Sequence, residues 1–230
     1  MKKNKNKYLD RSRSLIEFID KSPTPFHVVK SFKDELQSAG YVELYEHDKW
    51  HLSSGEKYFV TRNESSLVVF SIGSEVPEES GFKIIGAHTD SPNLRLKPNP
   101  VYLKNGYAQL GVEVYGGALL TTWTDRDLSL AGRVILKPSS TKKTLKKHRL
   151  FEKKISTLVN CDFVSRLVAF DRPLLRIPQL AIHLNRSVNE KGLVLNPQNH
   201  LPPIFALVDQ KTKSKTLLID LLTEELKCKP

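Results

Sequence analysis

The residues best suited to chemistry stand at His88-Thr89-Asp90. A neutral imidazole is the commonest metal ligand among side chains. A carboxylate close by can hold the ring's other nitrogen, which fixes the tautomer. On spacing alone this pair is a weak signal, and a purely structural role is the commoner outcome. Motifs of other chemistries are absent: H-E-x-x-H, C-x-x-C, the P-loop, G-x-S-x-G and G-x-G-x-x-G do not occur. Further polar residues read as structural. His27 near a helix start packs or caps. Asp125 and Asp127 flank Arg126, which suits a local ion pair or turn. Glu113 alternates with Val112 and Val114 and belongs on a solvent face. His47, His51 and His148 sit among charged residues, and His200 precedes a Leu-Pro-Pro loop. Trp123 reads as packing.

The elements that must position His88 and Asp90 follow from periodicity. Leu9, Leu15, Ile16 and Ile19 recur at helical spacing and predict an amphipathic helix over 8–20. Thr24 is a candidate N-cap for a second helix, with Pro25 in its first turn and Gly40 as a left-handed terminator. Period-two patterns at 58–62 and 67–72 predict a hairpin. The short apolar run Phe82–Ala87 reads as a buried central strand leading straight into His88. Helices ahead of such a strand suggest an α/β sheet, whose ligands collect at the carboxyl ends of its strands. From about residue 95 the pattern becomes mostly β, with strands expected at 107–115, 128–136, 166–170 and 180–184. Residues 214–227 form a closing helix.

Composition bounds the class. The 230 residues contain 39% hydrophobic side chains, enough for a packed core, while 11 Gly and 13 Pro exclude collagen-like or low-complexity chains. No apolar run is long enough for a membrane span, and no apolar stretch follows the basic start as a secretory signal would require. Two cysteines cannot build a disulfide framework, so a reducing, cytoplasmic setting is expected. The formal net charge is +11. Much of the excess lies in 141–154, with seven Lys/Arg and one Glu, and in four lysines among the first seven residues. Neither stretch interleaves aromatics for base stacking, so the charge reads as solvated loop and tail, and nucleic acid is not the expected partner.

Longer motifs carry more. Gly81-Phe-Lys-Ile-Ile-Gly-Ala-His-Thr-Asp-Ser-Pro-Asn-Leu-Arg-Leu-Lys-Pro98 resembles the aspartyl aminopeptidase family of two-zinc exopeptidases. Four other segments agree in order: Ser22–His27; Tyr58–Asn63; Gly111-Val-Glu-Val-Tyr-Gly-Gly117 running on through Thr122–Val134; and Asp171–Arg186. The resemblance covers nearly the whole chain. It implies a zinc-exopeptidase-like α/β catalytic domain, of which residues 1–95 form the N-terminal part. A β-rich dimerisation domain over 96–230 would follow, with a basic insertion at about 139–163 and the C-terminal helix. By resemblance His88 is a zinc ligand and Asp90 supports it. His183 matches a histidine of the dimerisation domain that reaches into the neighbouring subunit's active site.

The implied chemistry is removal of an N-terminal Asp or Glu from a peptide by water activated at two Zn2+ ions, within a homo-oligomer. Family members are about twice as long as this chain. The bridging carboxylate, the catalytic glutamate, the other zinc ligands and the group that recognises an acidic side chain would all lie in the missing half. A zinc site normally needs about three protein ligands, and His88 is the one such ligand recognisable here. Two readings therefore stand: an incomplete aminopeptidase half that works with a separate C-terminal fragment, or a catalytically dead remnant that acts only through dimerisation.

Overall fold

The computed structural model describes residues 2–137, 163–209 and 214–228. The predicted basic insertion, apart from Phe163, lies outside them.

Helix α1 (Lys2–Asp20) starts earlier than periodicity implied. Its Leu9, Leu15, Ile16 and Ile19 are exposed, and Phe18 supplies an aromatic contact to the next helix, edge-on to Phe32 at 4.9 Å. Helix α2 (Pro25–Ser38) begins as expected, with the Thr24 hydroxyl accepting from the His27 N–H. It stops at Gly40, φ +80°, where the N–H groups of Gly40 and Tyr41 donate back to the carbonyls of Gln37 and Leu36. That pair of bonds satisfies two carbonyls the helix end leaves open. Strand β1 (Val42–Leu44) lies parallel to β2 (Lys57–Arg62), which forms an antiparallel hairpin with β3 (Ser66–Ser71). Asn63 and Glu64 turn the hairpin with φ of +53° and +57°, the left-handed geometry that matches strand twist.

After the short helix α3 (Pro77–Ser80), the expected central strand is not formed. Residues 82–87 carry no strand pairing, and Phe82, Ile84 and Ile85 are 79%, 85% and 99% exposed. Composition marks this run for burial, but a strand also needs a neighbour to take its backbone hydrogen bonds. Among the described residues no strand lies beside it.

The remainder is β-rich. Strands β4 (Asn93–Lys104) and β5 (Tyr107–Tyr115) form a hairpin through Asn105-Gly106, both with positive φ. A 3-10 turn at Leu120–Trp123 leads to β6 (Asp127–Leu128), β7 (Ala131–Leu136), β8 (Val164–Ala169) and β9 (Leu175–Arg176). Short helical turns α4 (Val188–Lys191) and α5 (Pro197–His200), strand β10 (Ile204–Leu207) and helix α6 (Ser214–Leu226) close the chain. The main sheet has the order β4-β5-β10-β9-β6 and is drawn entirely from residues after 92. Its core joins Val112, Ile177 and Leu201, with Leu94, Leu120, Trp123, Leu128 and Leu195 packed around them. Trp123 is thus packing, as expected.

Two expected strands differ. The run 128–136 divides into β6 and β7 where its partner changes from β9 to β8, and at the break the Ser129 hydroxyl lies 2.7 and 3.0 Å from the carbonyl oxygens of Phe170 and Arg172. The run 180–184 is a turn instead of a strand. The N–H groups of Leu184 and Asn185 donate back to the Ala181 carbonyl, so the backbone bonds are spent locally. Strand β4, a twelve-residue element, was not anticipated. Its interior Lys97-Pro98-Asn99-Pro100 interrupts the register, and prolines cannot donate to a ladder.

The β7–β8 pair reaches back to the first sheet. The Arg133 guanidinium stacks on Phe26 at 4.2 Å and donates to the Asn63 carbonyl at 2.8 Å. Arg133 and Ser165 both donate to the Glu64 carboxylate, at 3.3 and 2.7 Å.

Leu110 on β5 is fully buried. Truncation of a core leucine removes transfer energy and leaves a cavity, costing about 2–5 kcal/mol. Leu110→Ala should therefore lower unfolding stability by that amount in denaturant melts, with the slope of the transition unchanged.

Candidate metal centre

His88 and Asp90 occupy the segment between the unpaired run 82–87 and the start of β4. Two features hold it. The Thr89 hydroxyl donates to the Ser65 carbonyl at 2.8 Å, which ties the segment to the β2–β3 turn. On the other side, Asn93 at the start of β4 pairs with Tyr115 at the end of β5. Gly116 then turns away with φ +71°, and a side chain there would meet Pro92 at 3.5 Å. That contact is an ordinary one, and it is the left-handed φ that favours glycine at this position.

The imidazole of His88 is 81% exposed. Its Nδ1 lies 2.8 Å from the Asp90 backbone carbonyl and 3.2 Å from Asp90 Oδ1. Both neighbours are acceptors when the carboxylate is ionised. Nδ1 must therefore carry the proton, and in the neutral ring Nε2 keeps its lone pair. This is the arrangement in which a carboxylate prepares a histidine for a metal. Asp90 Oδ2 in turn accepts a hydrogen bond from the Tyr115 hydroxyl. That bond, then one from the Asp90 N–H and the nearby His88 ring, holds the Asp90 carboxyl below the usual range. The same bond raises the Tyr115 phenol above its ordinary value. Tyr115 had no role in the sequence reading; a tyrosine ending a strand just before Gly116-Gly117 is the only hint the sequence offers.

The structure brings His88 and Asp90 together and places His183 elsewhere, in the exposed turn at 182–184. No hydrogen bond or ion pair among the described residues joins His183 to the other two. Several of the residues read as structural have structural partners, and His148 lies outside the described residues. Glu113 is on the outer face of β5, 2.9 Å from Lys97 Nζ. Asp125 and Asp127 face Arg176, at 4.0 and 3.2 Å, instead of the adjacent Arg126. His27 Nδ1 lies 2.8 Å from the Thr24 hydroxyl, and burial lowers its pKa. His200 Nδ1 accepts from the Asn196 N–H. Among the described residues no cluster of three or more His, Cys, Asp or Glu side chains could hold a metal ion. The donor set present fits zinc in kind, one imidazole with a supporting carboxylate, and falls short in number.

Residues 18–230 match the family described as aminopeptidase I zinc metalloprotease (M18), and the chain belongs to it. It is 48% identical over 210 residues to a probable M18 family aminopeptidase 2 of Pseudomonas paraeruginosa, covering 91% of this chain and 44% of that protein. The corresponding protein of Pseudomonas putida is 46% identical over 213 residues, covering 92% and 44%. Among solved structures, the Ape4 and Nbr1 complex aligns with a TM-score of 0.79 and 38% identity, over 93% of this chain and 39% of that one. Chaetomium thermophilum mApe1 aligns with a TM-score of 0.75 and 34% identity, over 94% and 47%. The mixed α/β architecture is thus that of M18 aminopeptidases. The chain spans about 44% of the length of the curated relatives it matches. No helix among the described residues is long and apolar enough to cross a membrane.

Two outcomes follow. His183 is exposed, so His183→Ala should change unfolding stability by less than about 0.5 kcal/mol in a thermal or denaturant melt. Asp90 has a depressed folded-state pKa, so its contribution is complete above the ordinary carboxylate value. It is lost as pH falls through the lower folded value. The carboxyl carbon-13 midpoint of Asp90 should accordingly lie below the ordinary aspartate range, near 3.9, and rise towards it in Tyr115→Phe.

Proposed function

We propose that this chain contributes one part of an M18-type aminopeptidase centre, and that the complete centre removes N-terminal Asp or Glu from peptides. The observation that carries this is the Nδ1 of His88, which faces two acceptors and so leaves Nε2 for a metal. Zinc, two ions in a complete centre, would supply Lewis acidity and a water of lowered pKa. His88 would bind through Nε2. Asp90 would keep the proton on Nδ1 and hold the ring's direction. His183, on its exposed turn, would serve the centre of a neighbouring subunit, within a homo-oligomer formed through the β-rich residues 96–230. One solved relative is described as a dodecamer of S. cerevesiae mApe1, which supports an assembly of this kind. The cytoplasm belongs to the same reading.

The other ligands and the general base would come from the part of a full-length relative that these residues do not span. The exposed run 82–87 supports this. Each of Phe82, Ile84 and Ile85 would contribute about 1.5–3 kcal/mol if buried. A strand laid beside them would gather that energy and satisfy the free backbone. A second reading, an interaction protein without catalysis, is favoured by the lack of any three-donor cluster among the described residues.

The two readings separate by complementation. The chain alone should show no measurable turnover of aspartyl or glutamyl substrates, with or without added zinc. Co-expressed with the C-terminal half of a Pseudomonas relative, it should give turnover that His88→Ala abolishes. His183→Ala should lower the rate with zinc content intact. A stable complex that remains inert with zinc present would leave the interaction reading standing. Robust turnover by the repurified chain alone, lost in His88→Ala, would overturn the reading that these residues hold only part of the centre.

A further inference from the structure

Asp90 has two carboxylate oxygens and two side-chain partners. Oδ1 faces His88 Nδ1 at 3.2 Å, and Oδ2 accepts from the Tyr115 hydroxyl. Asp90 is itself about one-third exposed, and His88 is almost wholly in solvent. Packing therefore does not fix either side chain. The restraint comes from Tyr115, whose own position is determined twice over. Its backbone pairs with Asn93, three residues past Asp90. Its ring lies under the Arg95 guanidinium, 4.1 Å from the centroid. Arg95 pairs with Glu113, so it sits diagonally across the ladder from Tyr115 on the same face, a spacing that long side chains bridge. A cation over an aromatic face is attracted by the ring's quadrupole, and a ring so covered cannot swing away without losing that contact.

We infer that Tyr115, clamped by Arg95, is a positioning residue: it fixes the Asp90 carboxylate and through it the tautomer and aim of His88. The chain of contacts runs Arg95, Tyr115, Asp90, His88, from the rigid β4–β5 ladder to an exposed ring. Without the phenol, Asp90 Oδ2 loses the side-chain partner that restrains rotation about its side-chain bonds. Its Oδ1 then leaves Nδ1, and only the backbone carbonyl of Asp90 still favours the Nδ1–H tautomer. The inference rests on the proposed use of His88 as a ligand for its functional meaning. Its test needs neither metal nor turnover, so the two can fail separately.

The test is the ring nitrogen-15 shifts of His88, from long-range proton–nitrogen correlation on the full chain at pH 8.5. At this pH a histidine ring is ordinarily neutral. Wild type should show a predominant Nδ1–H tautomer. Tyr115→Phe should lower the ratio of Nδ1–H to Nε2–H by about five-fold, the preference that one ordinary hydrogen bond sustains. Arg95→Ala should move the ratio the same way by a smaller factor, and Arg95→Lys, which keeps the cation, should restore it. The amide spectrum away from residues 88–95 and 113–116 should stay as in wild type. A folded Tyr115→Phe chain with an unchanged tautomer ratio overturns the inference. If Tyr115→Phe does not fold, Arg95→Ala decides on the same criterion: a shifted ratio supports the positioning role and an unchanged one overturns it.

Discussion

The backbone ladder of β5 is what the rest of this structure depends on. One edge of the strand bonds to β4 along nearly its whole length, and the other bonds to β10 at Tyr107, Ala108 and Gln109. Its alternation puts Ala108, Leu110 and Val112 into the core and Glu113 into solvent against Lys97. A strand held in this way has one register, because a slip of one residue would turn its buried set outward. The last residue of that register is Tyr115. The position of its hydroxyl is therefore set by core packing several residues away, and the Asp90 carboxylate is set by the hydroxyl.

The magnitudes show what the polar contacts near His88 contribute. Ion pairs and hydrogen bonds between exposed groups are worth about 0–1 kcal/mol each. Neither the His88–Asp90 pair nor the Arg95–Tyr115 contact can hold the fold together. The energy that holds β4 to β5 comes from buried Leu110, Val112 and their neighbours. What the polar groups supply is orientation: a protonated Nδ1 and an Nε2 that keeps its lone pair. Stability and orientation are thus carried by different residues of the same ladder, and they respond to different substitutions.

Much of this was legible from residue types. Thr24, Pro25 and Gly40 marked the ends of α2, since a hydroxyl, a missing N–H and a left-handed glycine are local requirements. The β2–β3 hairpin and strand β5 followed from period two. The pairing of His88 with Asp90 followed from their closeness in sequence, and the resemblance to aspartyl aminopeptidases pointed to the M18 family to which the chain belongs. The misses share one cause. Runs 82–87 and 180–184 have strand composition, but forming a strand depends on what lies alongside, and composition does not report that. In 180–184 local bonds to the Ala181 carbonyl prevail. In the middle of β4, Pro98 and Pro100 concealed a strand that bridges them with a break in register. Tyr115 escaped notice because its role exists only through a contact twenty-five residues away in sequence.

The unpaired run 82–87 leaves the segment carrying His88 without a hold on its upstream side. The segment carrying His88 is fastened downstream, by Asp90 to Tyr115 and by Asn93 to β5. It is fastened sideways by Thr89 to Ser65. Upstream, the backbone entering His88 has no ladder bonds, and three large apolar side chains in it meet water. Burying them would release roughly 5–9 kcal/mol at ordinary transfer values, comparable with the whole stability of a typical domain. An exposed apolar run with unpaired backbone is also a template for pairing with another chain. The same event that covers 82–87 would therefore restrain His88 from its upstream side and complete the hold on its ring. Cover and alignment are one physical step here, because the apolar run and the histidine are consecutive in the chain.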